Sequence, residues 1–146
     1  MIKKIENIYR FIFPKRLTNW RIYANKLKGL SGIEIGGPSP AFTKNGFLPL
    51  YKLIGSLDGC NFSSNTVWEG TLTEGLNYKY GNRKGYQFIS DGTNLNQIPN
   101  GHYDFILSCH SLEHFANPIK ALTEWKRILK DGGYILLVVP HKDNTF

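Results

Sequence analysis

The stretch GIEIGGPSPAF, residues 32–42, places an acid, Glu34, just before Gly36 and Gly37, with Pro38 and Pro40 close behind. Paired glycines at the end of an apolar run permit a tight turn and let backbone N–H groups approach a ligand. A phosphate ligand would want spaced glycines, a helix start and no acid. An acid beside such a turn suits a positively charged ligand, and a sulfonium carrying an amino group is one. A second acid, Asp91, directly follows the run YQFIS, and His110, Glu113 and His114 follow YDFILS. An imidazole titrates near neutrality, so His110 and His114 are candidate bases. Structural readings stand beside these. Glu34 could merely cap or pair with a basic residue, Asp91-Gly92 is a common turn pair, and a single histidine is usually a surface or structural group. Trp68 and Glu69, in a loop-like stretch, are candidates for lining an acceptor pocket, whereas Trp125 reads as core.

Strands must carry these residues. SGIEI, SLDGC, YQFIS and YDFILS read as short strands. Ile2, Ile5, Ile8 and Ile12 recur at helical spacing, so a helix is predicted over 2–12, and a second over 17–27. Asn117-Pro118 predicts a capped helix start. Ile119, Leu122, Trp125, Ile128 and Leu129 then form one apolar stripe through Lys130, and Asp131-Gly132-Gly133 predicts the stop. YILLVVP is apolar at nearly every position, which predicts a strand in the middle of a sheet covered on both faces. Residues 41–56 are ambiguous, because Gly46 and Pro49 break any long helix. Residues 61–85, rich in Gly, Asn, Ser and Thr, read mostly as loop with room for a strand pair. Strand, crossover helix and strand imply a right-handed parallel unit. Ligands of such open α/β sheets bind outside the carboxyl ends of the strands, where the strand order switches.

A chain of 146 residues, 41% hydrophobic and 14% aromatic, supports one domain with a real core and excludes a disordered chain. No apolar run is long enough to span a bilayer, and the charges of MIKKIENIYR do not read as a signal peptide. Cys60 and Cys109 form neither a disulfide framework nor a zinc knuckle, so a cytoplasmic location and no metal are expected. The net charge of +7 favours acidic partners. Much of it lies in the first 28 residues among aromatics, either as a contact surface or as the solvated face of amphipathic helices. The expected organisation is a basic helical segment over 1–30 and a cofactor-binding domain over 31–146.

The order IEIGG, GCNFS, SDGTNLNQIP, YDFILSCHSLEHFANP and EWKRILKDGGYILLVVP resembles the class I S-adenosylmethionine-dependent methyltransferases, and among them the type 11 methyltransferase domain. The resemblance covers residues 31–140 and is most specific in its C-terminal half. It implies a Rossmann-like open parallel sheet with flanking helices and strand order 3-2-1-4-5. The family continues with two more strands, so the resemblance implies a C-terminally truncated chain whose fifth strand lies at an open edge for another chain to cover.

By position the resemblance implies S-adenosyl-L-methionine as cofactor. Glu34, Gly36 and Gly37 would hold its methionine part, which the backbone at Ser108 and Cys109 would face. Asp91 would contact the adenine amino group, with Gly92 and Thr93 beside the ring. Asn61 stands where an acid binds the ribose, and Asp58 is the substitute if the register shifts. His110, Glu113 and His114 would lie near the methyl acceptor, with His110 or His114 as base. Two departures matter. Pro38 and Pro40 replace glycines and remove two backbone donors, which displaces or shortens the helix that follows. Asn61 cannot chelate two hydroxyls as a carboxylate does. The implied reaction is direct displacement at the sulfonium methyl, driven mostly by alignment, onto a small-molecule or glycan acceptor. An RNA methyltransferase and a non-catalytic or decayed binding module are the alternatives. The missing Asn/Asp-Pro-Pro-aromatic motif argues against methylation of base amino groups, and Glu34 with no spaced glycines argues against a nicotinamide-dependent oxidoreductase.

Overall fold

The computed structural model describes residues 15–66 and 70–141. The helix predicted over 2–12, and Trp68 and Glu69, lie outside them. Helix α1 (Trp20–Leu27) precedes strand β1 (Ser31–Ile35). Strands β2 (Ser56–Asn61), β3 (Asn65–Thr66), β4 (Gly70–Thr71), β5 (Gly75–Tyr80), β6 (Arg83–Ile89) and β7 (Tyr103–Cys109) follow. Helix α2 (Pro118–Ile128) and strand β8 (Leu129–Val138) close the described chain.

Six strands form one open sheet in the order β5-β6-β2-β1-β7-β8, and β3 pairs with β4 in a separate two-stranded ribbon. Strand β1 is central, parallel to β2 on one side and β7 on the other. Strands β6 and β8 extend the parallel array, and β5 returns antiparallel on β6. Taking β1, β2, β6, β7 and β8 as strands one to five, the expected 3-2-1-4-5 order is observed. Strand β5 adds an outer antiparallel edge.

Each face of the sheet buries its own cluster. One joins Leu27 of α1 to Phe42, Leu50, Tyr51, Leu57, Tyr78 and Phe105. The other joins Ile33, Ile35, Cys60 and Ile106 to Leu95, Ile98, Trp125 and Ile128. The connections differ from a regular α/β repeat. Between β1 and β2 there is no α-helix, only a short 3-10 turn at Pro40–Phe42. Pro38 and Pro40 cannot supply N–H donors to a helix there. Arg83 instead ties the end of this crossover to the hairpin, donating to the carbonyls of Ile54 and Gly55. The β6–β7 connection also lacks a helix. Arg127 of α2 holds it, donating to the carbonyls of Leu95 and Ile98 at 2.9 Å each, and Glu124 accepts from the Leu95 N–H at 2.7 Å.

The start of α2 follows the sequence signal. Pro118 occupies the first turn, and Asn117 Oδ1 accepts the Lys120 N–H at 3.0 Å. Its end differs from the expected stop. The helix closes at Ile128, and Leu129 already pairs with Tyr103. Asp131-Gly132-Gly133 therefore lies within β8, where the register shifts before Phe105 meets Tyr134. YILLVVP is not the covered central strand its composition predicts but takes the edge position that the resemblance implies. Strand β8 pairs only with β7 among the described residues, and Ile135, Leu137 and Val139 are exposed. No described helix is long and apolar enough to cross a membrane.

Candidate functional site

A cleft of about 880 Å³ opens at the carboxyl ends of the parallel strands. Gly36, Pro38, Ser39 and Pro40 after β1 form one wall. Phe62 follows β2, Asp91 and Thr93 follow β6, and Cys109, His110 and Ser111 lie at the end of β7. His114, Phe115, Asn117 and Lys120 complete the lining towards α2. Of the residues singled out from the sequence, Gly36, Asp91, Thr93, Cys109, His110 and His114 therefore meet around one cavity.

The rest lie behind this lining. Glu34 is fully buried under the β1 turn. Its Oε2 accepts the hydroxyls of Tyr51 at 2.7 Å and Tyr78 at 2.6 Å, while Oε1 has no partner. Gly37 is wedged against the Glu34 carboxyl group and the Tyr78 hydroxyl. Its carbonyl accepts Asn61 Nδ2 at 2.9 Å, and Asn61 Oδ1 has no partner. Gly36 has a left-handed φ of 80°, with Ser111 Oγ standing where a side chain would start. Glycine meets both demands at no steric cost. Ser108 is buried with its Oγ unpartnered.

Asp58 lies lower on β2, in register with Ile33 of β1. Its two oxygens accept the Tyr86 N–H and the Tyr103 hydroxyl, each at 2.7 Å. The side chain thus joins β2, β6 and β7 and does not line the cleft. Asp91 Oδ1 accepts the Thr93 N–H at 2.8 Å, so the turn reading of Asp91-Gly92 describes its local geometry. Gly92 is buried, and its carbonyl accepts Trp125 Nε1 at 2.9 Å.

His110 has a φ of 52°, a left-handed conformation uncommon for a residue with a side chain. Its N–H is tied to the Val138 carbonyl at 2.8 Å, and its Nδ1 stands 3.8 Å from Glu113 Oε1. Such strain persists where surrounding structure enforces it, and it concentrates at functional sites. Burial pushes the Cys109 thiol up to about 11 and the Cys60 thiol up to about 12. Neither is poised as a thiolate nucleophile.

The family model described as a methyltransferase domain matches residues 56–137. The chain belongs to the methyltransferase domain family. Family and fold together imply S-adenosyl-L-methionine as the cofactor. No curated protein matches the chain. Among solved structures, an S-adenosylmethionine-dependent methyltransferase from Aquifex aeolicus is 15% identical with a TM-score of 0.53, covering 86% of this chain and 70% of its own. A protein of an antibiotic biosynthesis pathway from Anabaena variabilis ATCC 29413 is 23% identical with a TM-score of 0.53, covering 81% and 43%. A Thermotoga maritima methyltransferase, described as a possible histamine N-methyltransferase, is 21% identical with a TM-score of 0.50, covering 93% and 56%. At these identities the likeness shows the fold. The chain spans only part of each neighbour.

The donor set of this methyltransferase domain fits the cofactor. Two unpartnered buried oxygens, Glu34 Oε1 and Asn61 Oδ1, flank a glycine turn beside the cleft. Acceptors left bare in an interior call for a donor.

The methyltransferase domain's buried acid also sets a pH dependence. Burial raises the Glu34 pKa above its ordinary value, with the Tyr78 and Tyr51 hydroxyls on Oε2 pulling the other way. Between the ordinary and the raised value the folded state holds more protons than the unfolded state. Stability therefore falls as pH rises through that window, and the penalty is absent below it. Urea unfolding of wild type and Glu34→Gln from about pH 4 to about pH 8 checks this. Wild type is expected to lose stability relative to the amide variant as pH rises, and a constant gap contradicts it.

Little in the sequence marks Tyr51 or Tyr78 as part of this site. Tyr51 sits in the ambiguous 41–56 stretch and Tyr78 in the loop-like 61–85 stretch. The one available signal for Tyr78 was the alternation NYKY, with Tyr78 and Tyr80 buried and Asn77 and Lys79 exposed.

Proposed function

We propose that this chain is an S-adenosylmethionine-dependent methyltransferase acting on a small-molecule or glycan acceptor. The observation that carries the reading is the cleft at the strand ends, where Gly36, Asp91, Thr93, Cys109, His110 and His114 converge. When bound, the cofactor supplies an electrophilic sulfonium methyl group. The Gly36-Gly37 turn, backed by the buried Glu34, would hold its methionine part, beside the backbone at Ser108 and Cys109. Asp91, Gly92 and Thr93 hold the adenine, and Asn61 takes the ribose position at the end of β2. His110 and His114, on the wall towards α2, face the acceptor, and one of them takes the proton of an acceptor hydroxyl. Most of the rate then comes from alignment of acceptor and methyl group. Two free thiols, Cys60 and Cys109, suit a reducing compartment such as the cytoplasm.

A binding module without catalysis is the second reading. Pro38 and Pro40, which leave the turn short of N–H donors, favour it. Calorimetric titration with S-adenosylhomocysteine tests the cofactor site: saturable binding with Kd below roughly 1 mM is expected, and silence there overturns the reading. Transfer of labelled methyl from S-adenosylmethionine to a small-molecule and glycan panel, against an RNA fraction, separates the acceptors. His110→Ala is expected to lower transfer to a hydroxyl acceptor by about 10²–10⁴-fold with S-adenosylhomocysteine affinity retained. Equal transfer by the variant would assign the base to His114.

A further inference from the structure

We propose that Tyr51 and Tyr78 are positioning residues for the cofactor, a hydroxyl pair reaching from outside the β1 turn to set the shape that its prolines cannot set. The inference rests on the cofactor reading above.

Between Pro38 and Pro40 the turn keeps one N–H donor, Ser39, and that donor is spent on Tyr51 Oη at 2.8 Å. Tyr51 has a single proton to give. Glu34 Oε2 at 2.7 Å is a nearer acceptor than the Ser39 carbonyl at 3.2 Å. Tyr51 therefore bridges the strand-end acid and the turn backbone. Tyr78 approaches the same Oε2 from β5, at 2.6 Å. It reaches that point because Gly59 of β2 has no side chain, and a Cβ there would overlap the Tyr78 ring. Both tyrosines are buried.

With two hydroxyls on one oxygen, the carboxylate cannot rotate, and Oε1 is held bare beside Gly37. The titratable groups facing Glu34 are Tyr51 from the crossover, Tyr78 from β5 and Cys109 from the end of β7, all neutral at pH 7. A cationic amino group of the ligand would bring the first positive charge to this acid. The tyrosines thereby act on the amino-acid end of the cofactor and leave its nucleoside end to other residues.

Calorimetry on wild type, Tyr51→Phe and Tyr78→Phe decides this, with S-adenosylhomocysteine and with 5′-methylthioadenosine, which lacks the amino-acid end. Each variant is expected to bind S-adenosylhomocysteine about 10-fold or more weakly, the scale of one hydrogen bond to a charged group, with 5′-methylthioadenosine affinity unchanged. A merely structural role would lower Tm and weaken both ligands alike, and that result overturns the proposal, as does unchanged affinity for both. If Tyr78→Phe fails to fold, Tyr51→Phe carries the test. Failure of the wild type to bind S-adenosylhomocysteine would sink the cofactor reading itself, and this inference with it.

Discussion

Trp125→Ala is expected to lower the unfolding free energy by about 3–5 kcal/mol, the range for removing a large buried aromatic side chain. Trp125 is fully buried and packs with Ile33, Ile106 and Ile128 on the α2 side of the sheet. It meets Phe115 edge-on, with ring centroids 5.8 Å apart. Its indole N–H also holds the Gly92 carbonyl at 2.9 Å, in a connection that has no helix of its own. The loss is therefore a cavity plus an orphaned carbonyl. Trp125→Phe separates them, since it keeps much of the ring and drops the N–H. A deficit of about 1–3 kcal/mol is expected for an unpaired buried carbonyl. Urea unfolding followed by circular dichroism measures both. A Trp125→Ala deficit below about 1 kcal/mol would mean that the α2 face of the sheet is not held as described. Loosening at Gly92 should reach the cleft as well, because Asp91 and Thr93 flank it on the wall assigned to adenine.

The second large effect is expected at Gly37. Here the obstacle is space, since a Cβ would overlap the Glu34 carboxyl group and the Tyr78 hydroxyl. Neither neighbour can retreat. Glu34 is pinned by two tyrosines and Tyr78 is packed over Gly59. On the other side Asn61 clamps the Gly37 carbonyl. Gly37→Ala should cost about 1–3 kcal/mol of stability, the usual penalty for overpacking a filled interior. Its larger effect is on the ligand. A turn that shifts to make room loses hydrogen bonds to a charged ligand group, worth about 1.5–3 kcal/mol, so S-adenosylhomocysteine affinity should fall by about 10–100-fold. Calorimetry on the folded variant reads the affinity and thermal unfolding reads the stability. Full affinity in Gly37→Ala would mean that the turn does not shape the ligand site.

How far the site could be read beforehand depends on the range of the forces that place each residue. Asp91, Cys109, His110 and His114 line the cleft because they follow runs that are visibly strands, and the end of a strand is a local feature of the chain. Asn117 and Pro118 start α2 for equally local reasons, a side-chain acceptor and a preset φ. Asp58 shows the limit. Nothing nearby in the chain reveals that its oxygens are taken by Tyr86 and Tyr103, 28 and 45 positions away. Strand β8 shows another. Its apolar composition suits a buried strand, but whether a strand is central depends on what pairs with its far side, and local sequence does not carry that.

Local chemistry alone was enough for the parallel sheet, the capped helix and the acid–glycine turn, whereas the order of the five shared strands came from the family resemblance. Periodicity, capping and turn preferences act between residues a few positions apart, so they can be read along the chain. Folding decided that Glu34 would be sealed beneath the turn, held through one oxygen by tyrosines from a helix-free crossover and an added antiparallel strand. A buried carboxylate is stable only with partners, and the two hydroxyls bonded to it, those of Tyr51 and Tyr78, come from 17 and 44 residues away. Only the packed sheet brings them together.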